Sequence, residues 1–234
     1  MSARCMPPGG RVLDVGCGNG GYLLHMSRMG FIAEGTEWTS DSAARVPQNA
    51  GIKVHVGDLL SLPLPGQQYD MITMWHVLEH VRQPDKVLQR IWTLLKPGGT
   101  LYLALPNAES RQAMRFREAW LHHDPPRHLF GFGVKSLSGL LHSIGFTIER
   151  VSTNSLEQNV FGHIQSWLNE RGYPRDRLYE QLKGLNRHAT GTRLSAAMWM
   201  LALAVPALIV STLQAMQGRG ATMTLRVRKP ASAG

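Results

Sequence analysis

The sequence predicts an α/β protein with a doubly wound, mostly parallel sheet, and three observations lead to this fold class. Short apolar runs alternate with helical patterns over residues 11–105. A glycine-rich loop joins the first strand to the first helix, and a Lys-Pro-Gly-Gly turn at 96–99 ends a later helix. Alternation of this kind implies a parallel sheet with helices on both faces and right-handed crossovers.

The elements follow one another in a regular order. The predicted strands are 11–15, 31–36, 52–56, 69–75, 100–105, 146–152 and 221–228; the predicted helices are 20–29, 40–49, 84–95 and 134–144. Residues 155–218 are predicted to be mostly helical and form an insertion before the last strand. A length of 234 residues suits one domain over 1–234, with its core in 9–152 and 219–229 and a loop at 107–133 that covers the substrate.

The positive charge is concentrated in the second half of the chain. The hydrophobic fraction of 43% indicates a globular protein, and the formal net charge is +9. Residues 1–110 hold 9 basic and 9 acidic side chains, whereas residues 111–234 hold 16 and 7, so 16 − 7 = +9. This favours an anionic partner, such as an anionic substrate, a membrane surface or nucleic acid, or else a merely soluble basic face.

Cysteine content and the N-terminus predict the compartment. The two cysteines, Cys5 and Cys17, suggest no disulfide framework and fit a reducing environment. Residues 1–10 lack the apolar run of a signal peptide. We therefore expect a cytoplasmic protein.

The glycine loop after the first strand is the most informative segment. Gly16, Gly18 and Gly20 lie between a strand and a helix, where doubly wound sheets bind ligands. Glycines allow the backbone to turn sharply and approach a ligand closely. The loop also fits the dinucleotide pattern G-x-G-x-x-G, which leaves a nicotinamide dinucleotide as an alternative ligand.

Three acidic residues close three consecutive strands and help to choose the ligand. Asp14 beside the loop suits an ammonium group better than a pyrophosphate, although it could instead bond to the loop amides. Glu37 suits a ribose diol. Asp58 could accept a hydrogen bond from an adenine amino group or act as a helix cap.

The ordered motifs resemble those of class I S-adenosylmethionine-dependent methyltransferases. They are Leu13-Asp-Val-Gly-Cys-Gly18, Glu37, Gly57-Asp58, His76-Val-Leu-Glu79-His80 and Lys96-Pro-Gly-Gly99. The resemblance implies a Rossmann-like seven-stranded sheet whose last strand runs antiparallel between strands five and six. It assigns the glycines to the methionine part of S-adenosylmethionine, Glu37 to the ribose, and Asp58 with Leu59 to the adenine. Trp38, Trp75 and His76 complete the predicted cofactor site, and S-adenosylhomocysteine is the implied product.

The segment after strand four is open to two interpretations. His76, Glu79 and His80 share one face of a helical turn and could bind a divalent metal. The ubiquinone-pathway O-methyltransferases, which this segment is similar to, have an acidic residue where His76 stands. We therefore predict no metal here; Glu79 and His80 instead hold the turn.

The loop after strand five supplies the candidate catalytic residues. His122, Arg127 and His128 surround two prolines, in a segment similar to one in a subset of class I methyltransferases. A histidine can act as a general base at working pH. Arg127 could bind an anionic substrate group or pair with Asp124.

An apolar segment, 196–213, has no charged residue and meets the usual length for a transmembrane helix. Strands precede and follow it in one sheet, so a single crossing is excluded. The alternatives are contact of 194–216 with the membrane surface at the inner face, a re-entrant turn broken at Pro206, or burial in the core or in a homodimer.

The predicted function is therefore methyl transfer from S-adenosylmethionine, with an oxygen of a small-molecule or lipid-linked acceptor as the preferred target. Residues after strand four lack the motif of nucleic-acid amino methylators, and nucleic acid is not an expected partner. The alternatives are an NAD-dependent oxidoreductase and a non-catalytic membrane partner with the same fold.

Overall fold

Seven strands form one sheet in the order β3-β2-β1-β4-β5-β7-β6. The computed structural model describes residues 6–47, 51–173 and 190–231, and side chains within 190–197 are outside this description. The strands are β1 Arg11–Val15, β2 Ile32–Glu37, β3 Lys53–Val56, β4 Tyr69–Trp75, β5 Leu95–Pro106, β6 Thr147–Ser152 and β7 Thr222–Arg228. The predicted fold class is confirmed.

Strands β1 to β5 are parallel neighbours, and β7 runs the other way. Parallel pairing joins β1 to β2 and β4, β2 to β3, and β4 to β5. The amide of Gly98 donates to the carbonyl of Lys229 at 2.9 Å, and that of Asn107 to Ala221 at 2.8 Å. These bonds place the start of β5 beside the end of β7, so the predicted antiparallel last strand between strands five and six is confirmed.

The helices are α1 Gly21–Arg28, α2 Ser40–Ala43, α3 Pro84–Leu94, α4 Arg111–Phe116, α5 Val134–Ile144, α6 Leu156–Glu170 and α7 Thr190–Met216; short 3-10 turns lie at Leu78–His80 and Arg117–Ala119. The predicted helix 40–49 is wrong in extent, because α2 ends at Ala43; residues 48–50 lie outside the described residues. The predicted helical insertion contains α6 and α7, and residues 174–189 of it also lie outside.

The predicted Lys-Pro-Gly-Gly turn lies inside strand β5. Tyr69 of β4 pairs with Leu95, whereas Met71 pairs with Thr100, so the four residues 96–99 lie opposite Asp70 alone and β5 has three extra residues here. A positive φ of 77° at Gly98 accommodates this irregularity. The sequence therefore predicted the irregular residues correctly. It did not predict that β5 includes them and begins before them, at Leu95.

The chain divides into two compact units. The first contains residues 1–105, 135–151 and 224–234, and therefore nearly the whole sheet. Its centre is apolar, with Leu13, Ile72 and Leu101 fully buried. One face of α3 adds Leu88 and Ile91 to the buried residues, as expected for an amphipathic helix.

The second unit contains residues 106–134 and 152–223. A small apolar cluster, Ile164, Leu168 and Ala207, joins α6 to α7. Helix α7 continues through Pro206, so the predicted alternative of a re-entrant turn broken there is wrong. One domain over 1–234 stays a prediction.

Candidate functional site

The glycine loop adopts a backbone conformation that only glycine accepts readily. Gly16, Gly18 and Gly20 have φ values of 70°, 58° and 72°. A Cβ on Gly16 would lie 2.6 Å from a methyl group of Val77, and one on Gly18 would meet nothing within 4 Å. The loop is therefore tightly packed at Gly16 and open at Gly18, as a site for a closely approaching ligand requires.

Asp14 is a buried carboxylic acid on strand β1, beside this loop. Asp14 is only 2% exposed, and its Oδ1 accepts a hydrogen bond of 2.6 Å from the Thr73 hydroxyl of β4. Burial raises the pKa of Asp14 to about 7; the Thr73 bond lowers this pKa and the negative charge of Glu37 raises it. A cation placed here would favour the ionised carboxylate. The sequence did not predict the part played by Thr73, which depends on strand pairing.

Glu37 and Asp58 lie at the same edge of the first unit, at the carboxyl ends of β2 and β3. Oε1 of Glu37 accepts a hydrogen bond from the amide of Gly18, which fixes the loop. Oδ1 of Asp58 accepts one from the amide of Leu60 at 3.0 Å. Leu59 is buried, whereas Trp38 is 69% exposed. This bond forms within a turn at 59–61, where no helix begins, so the alternative of a helix cap is wrong and the adenine contact of Asp58 stays a prediction.

Two buried donors near Asp14 have no hydrogen-bond partner among the described residues. They are the hydroxyl of Tyr22, in the first turn of α1, and Nε1 of Trp75, the last residue of β4. The two rings meet edge to face with 5.8 Å between centroids. Burial and the charge of Asp14 both raise the pKa of Tyr22, so its hydroxyl stays protonated. Unpaired buried donors are costly and indicate a site built for a polar ligand.

Sequence analysis missed Tyr22, although the residue directly follows the glycine loop. Its position in the first helical turn is a clue that could have been used, because this turn faces the ligand crevice in doubly wound sheets. What the sequence could not supply is the pairing of Tyr22 with Trp75, which lies 53 residues further along the chain.

His76 begins the turn after β4 in a strained conformation. Its φ is 53°, its amide donates to the carbonyl of Ala104 at 2.7 Å, and Nδ1 lies 3.4 Å from Oε1 of buried Glu79. The amide of His80 donates to the carbonyl of Val77 at 3.0 Å. These contacts fit the interpretation that Glu79 and His80 hold the turn. The expectation that no metal binds here stays a prediction.

The second unit contains a cavity of about 250 Å³. Its walls are Pro106, Ala108, Trp120, His122, His123, Asp124, Pro125, His128, Phe130 and Gly131. Aromatic rings and imidazoles thus surround a space that lies just below the range of about 300–1,000 Å³ usual for ligand pockets. The candidate catalytic histidines are both part of this wall.

His128 is oriented by the backbone of its own loop. Its Nδ1 lies 2.7 Å from the carbonyl oxygen of His122, and its amide donates to the carbonyl of Asp124 at 2.9 Å. Because a carbonyl only accepts, Nδ1 carries the hydrogen and the neutral ring has its lone pair on Nε2. The ring of His122 instead packs edge to face on Trp120, at 5.2 Å.

Arg127 forms the ion pair that the sequence left as an alternative. Its Nη2 lies 2.7 Å from Oδ2 of Asp124, and its side chain is 70% exposed. The two paired residues lie on either side of Pro125 and Pro126, which are joined by a cis peptide bond. Arg127 and Asp124 therefore brace the loop, and the predicted contact of Arg127 with an anionic substrate stays a prediction.

The strand order, the antiparallel last strand and the glycine-loop site define a class of protein, the class I S-adenosylmethionine-dependent methyltransferases. A family model described as "Methyltransferase domain" matches residues 1–151, which is more than half of the chain. The chain belongs to this methyltransferase family. Membership decides against the alternative of an NAD-dependent oxidoreductase.

Curated relatives are similar over less than half of the chain. A ubiquinone biosynthesis O-methyltransferase of Xanthomonas axonopodis pv. citri is 34% identical over 113 residues, covering 46% of this chain and 47% of the relative. One of Haemophilus ducreyi is 35% identical over 109 residues, covering 42% and 46%. The chain thus spans about half the length of the curated relatives it matches.

Solved structures match over almost the whole chain, at lower identity. The [4+2]-cyclase SpnF has a TM-score of 0.63 at 20% identity, with 97% of this chain and 77% of that chain covered. Phosphoethanolamine N-methyltransferase 2 of Haemonchus contortus, in complex with S-adenosylmethionine, also scores 0.63, at 19% identity and with 96% and 50% covered. These likenesses establish the fold, and their different reactions illustrate that a fold does not fix the acceptor.

Proposed function

We propose that this chain transfers the methyl group of S-adenosylmethionine to a hydroxyl oxygen of an acceptor that binds in the cavity of the second unit. The observation that carries the choice of oxygen is the bond from Nδ1 of His128 to the carbonyl of His122. With Nδ1 donating to this carbonyl, a neutral His128 ring can take up a proton only at Nε2. A hydroxyl nucleophile needs such a base, because its proton must leave as the new bond forms.

The residues of the first unit fit the cofactor. Gly18 offers open space beside the backbone, the Asp14 carboxylate offers a partner for the ammonium group, and Tyr22 and Trp75 offer unpaired buried donors. Glu37 already accepts the Gly18 amide through one oxygen and keeps a second oxygen for a ribose hydroxyl. When bound, S-adenosylmethionine supplies a methyl group that its sulfonium makes electrophilic.

The protein's share of the chemistry is then to position the acceptor and remove one proton. In-line displacement depends on holding the nucleophile about 3–3.5 Å from the carbon that it attacks. His128 accepts the hydroxyl proton at Nε2, and the His122 carbonyl keeps the ring in the required tautomer. His122 is thus a positioning residue through its backbone, whereas His128 is the catalytic base.

The cavity favours a small aromatic acceptor. Trp120 and Phe130 contribute rings to a space of about 250 Å³, which suits one ring better than a long chain. A phenolic hydroxyl, with a pKa of about 10, gives up its proton to an imidazole far more readily than an alcohol does. Curated relatives named as O-methyltransferases support the same acceptor atom. A lipid-linked acceptor would place only its head group in the cavity.

Two measurements test the proposal in turn. Calorimetry with S-adenosylmethionine, S-adenosylhomocysteine and NAD should show binding of the first two and no binding of NAD. Incubation with carbon-13-methyl S-adenosylmethionine and either catechol or a bacterial lipid extract should then give a product with a methoxy carbon in its NMR spectrum.

Each result has a distinct meaning. Label that appears as an N-methyl or C-methyl carbon overturns oxygen as the acceptor atom but leaves the cofactor assignment intact. Methoxy product from the lipid extract and none from catechol identifies a lipid-linked acceptor. Binding of NAD alone overturns the function as a whole.

A further inference from the structure

Helix α7 presents its large apolar side chains outward. Over Met198–Met216 its mean hydropathy is 1.8, and only 11% of this segment is buried. The residues Met198, Leu201, Val205, Leu208, Ile209, Leu213 and Met216 are all exposed, Leu201 by 83% and Met216 by 80%. They recur every three or four residues, except that Leu208 and Ile209 are adjacent, which places them on one face, here called the outward face. The alternative of a helix buried in its own fold is therefore wrong.

The opposite side of α7 packs on α6 through Met200, Leu203 and Ala207, and polar bonds add to this contact. Ser211 is 2% exposed and its hydroxyl donates to the carbonyl of Asn159 on α6, at 3.1 Å. The hydroxyl of Thr153 donates to the carbonyl of Ala215 at 3.2 Å. A surface helix of a globular protein normally buries its apolar face and exposes its polar one. Helix α7 buries one apolar side on α6 and exposes a second, which indicates that something apolar covers the outward face.

Aromatic and basic side chains meet at the start of this apolar stretch. The rings of Trp167 and Trp199 lie 5.5 Å apart, and the guanidinium of Arg171 stacks on Trp167, with its carbon 3.4 Å from the ring centroid. Tryptophan and arginine side chains are typical of the zone where lipid head groups meet hydrocarbon, because each has an apolar part and a polar tip.

The distribution of charge along the sequence favours a lipid surface over an uncharged apolar partner for this face. Residues 171–193 contain six basic and two acidic side chains, and residues 194–218 contain no charged side chain. Basic residues beside an apolar helix suit a bilayer with anionic lipids, to which each Lys or Arg near the surface adds attraction.

The connections of the sheet determine how the helix can meet a bilayer. Strand β6 precedes the insertion and β7 follows it, and the two strands are neighbours in one sheet. A single crossing would separate them. At about 28 Å for 19 residues, the apolar stretch is long enough to lie along a membrane surface as an extended contact.

We propose that the outward face of α7 docks in the plane of a bilayer surface that contains anionic lipid. Leu201, Val205, Leu208 and Met216 enter the boundary between head groups and acyl chains, and Trp199 with Arg171 lies at the level of the head groups. This contact needs neither the cofactor nor an acceptor, so it stands or falls independently of the methyl-transfer proposal.

Vesicle flotation with the full chain tests the contact. We expect the protein to float with phosphatidylcholine vesicles that contain phosphatidylglycerol, and to bind pure phosphatidylcholine more weakly. Leu201→Glu/Val205→Glu should lower the bound fraction at least about tenfold, because interfacial binding scales with the apolar area that is inserted. Both positions are more than half exposed, so folding should be unaffected.

A matched control adds the same two charges elsewhere. Met29 and Ile32 lie in the first unit and are 47% and 50% exposed, so Met29→Glu/Ile32→Glu should bind vesicles like the unaltered chain. Calorimetric binding of S-adenosylmethionine by both double variants reports that the first unit is intact. Release of vesicle-bound protein by alkaline carbonate supports in-plane docking.

Three results would overturn the proposal. They are equal flotation of the α7 variant and the control, binding that ignores phosphatidylglycerol, and retention of the protein after alkaline carbonate. Light scattering tests whether a second copy of the chain covers the outward face instead. That alternative holds if the protein does not float, is a dimer, and becomes a monomer on Leu201→Glu/Val205→Glu substitution.

Discussion

The two units build their polar groups in different ways. In the first, Asp14 is buried between neighbouring strands and Glu37 bonds directly to the glycine loop, so each group is fixed by the sheet itself. In the second, His128 and Arg127 lie on a loop that braces itself through a backbone carbonyl and an exposed ion pair. Side chains held rigidly by a sheet suit a ligand that is the same in every member of a family, such as a cofactor. A loop suits a ligand that varies between relatives.

This difference predicts a division of labour that experiments can separate. If the first unit holds the cofactor and the second acts on the acceptor, substitutions in the first should change the Kd of S-adenosylmethionine. Substitutions in the second should change turnover at an unchanged Kd. The following predictions test this division, beginning with the largest expected effect.

Replacement of the proposed base should have the largest effect. We expect His128→Ala to lower kcat by about 10²- to 10⁴-fold, the usual contribution of a general base, with no change in the Kd of S-adenosylmethionine. Added imidazole should restore part of the rate, because it can replace the missing base. A weakened cofactor complex in this variant would break the comparison between the two units.

Gly16→Ala should be the most damaging small change in the first unit. The new methyl group would lie 2.6 Å from Val77 at a φ of 70°, so left-handed strain and overpacking together should lower the free energy of unfolding by about 2–5 kcal/mol. Cofactor binding should weaken with it. Chemical denaturation and calorimetry measure the two effects.

Gly30→Ala is the matched control for Gly16→Ala. Gly30 has a φ of 85°, but a Cβ there would meet nothing within 4 Å, so only the strain of about 1–2 kcal/mol remains. Equal destabilisation by the two substitutions would show that the packing of Gly16 on Val77 has no energetic weight.

Asp14 should make cofactor binding depend on pH. Its pKa is raised from 3.8 to about 7, so folding disfavours the ionised form and the free energy of unfolding should fall as pH rises from about 4 to 7. The ammonium group of S-adenosylmethionine favours the ionised form. Its affinity should therefore rise with pH, by at most about tenfold per pH unit, and level off above 7.

Asp14→Asn separates the charge of this carboxyl from its shape. The amide oxygen can still accept the hydrogen bond from the Thr73 hydroxyl, but the side chain no longer titrates. Calorimetry across the same pH range should then give a flat, weak affinity. A slope that survives in this variant would assign the titration to another group.

The two units also differ in how much of their structure could be predicted from the sequence. The positions of the strands and the glycine loop followed from apolar periodicity and from conformations that glycine alone adopts readily, and those are local properties. The place of the antiparallel last strand followed only from the resemblance to class I methyltransferases. The bond from Thr73 to Asp14 depends on the pairing of β4 with β1, and the contact of Tyr22 with Trp75 depends on how α1 packs beside β4, and no local pattern encodes either. In the second unit, composition identified an apolar helix but could not tell a buried face from an exposed one.

The smallest expected effect is that of Arg127, and it decides between the two roles that the sequence left open. As an exposed partner of Asp124, Arg127 should contribute less than about 1 kcal/mol to the free energy of unfolding. A double-mutant cycle of Arg127→Ala with Asp124→Ala should return a coupling of that size that high salt removes. If Arg127 instead binds an anionic group of the acceptor, Arg127→Lys should raise the KM for that acceptor, because a lysine cannot make the two-pronged contact.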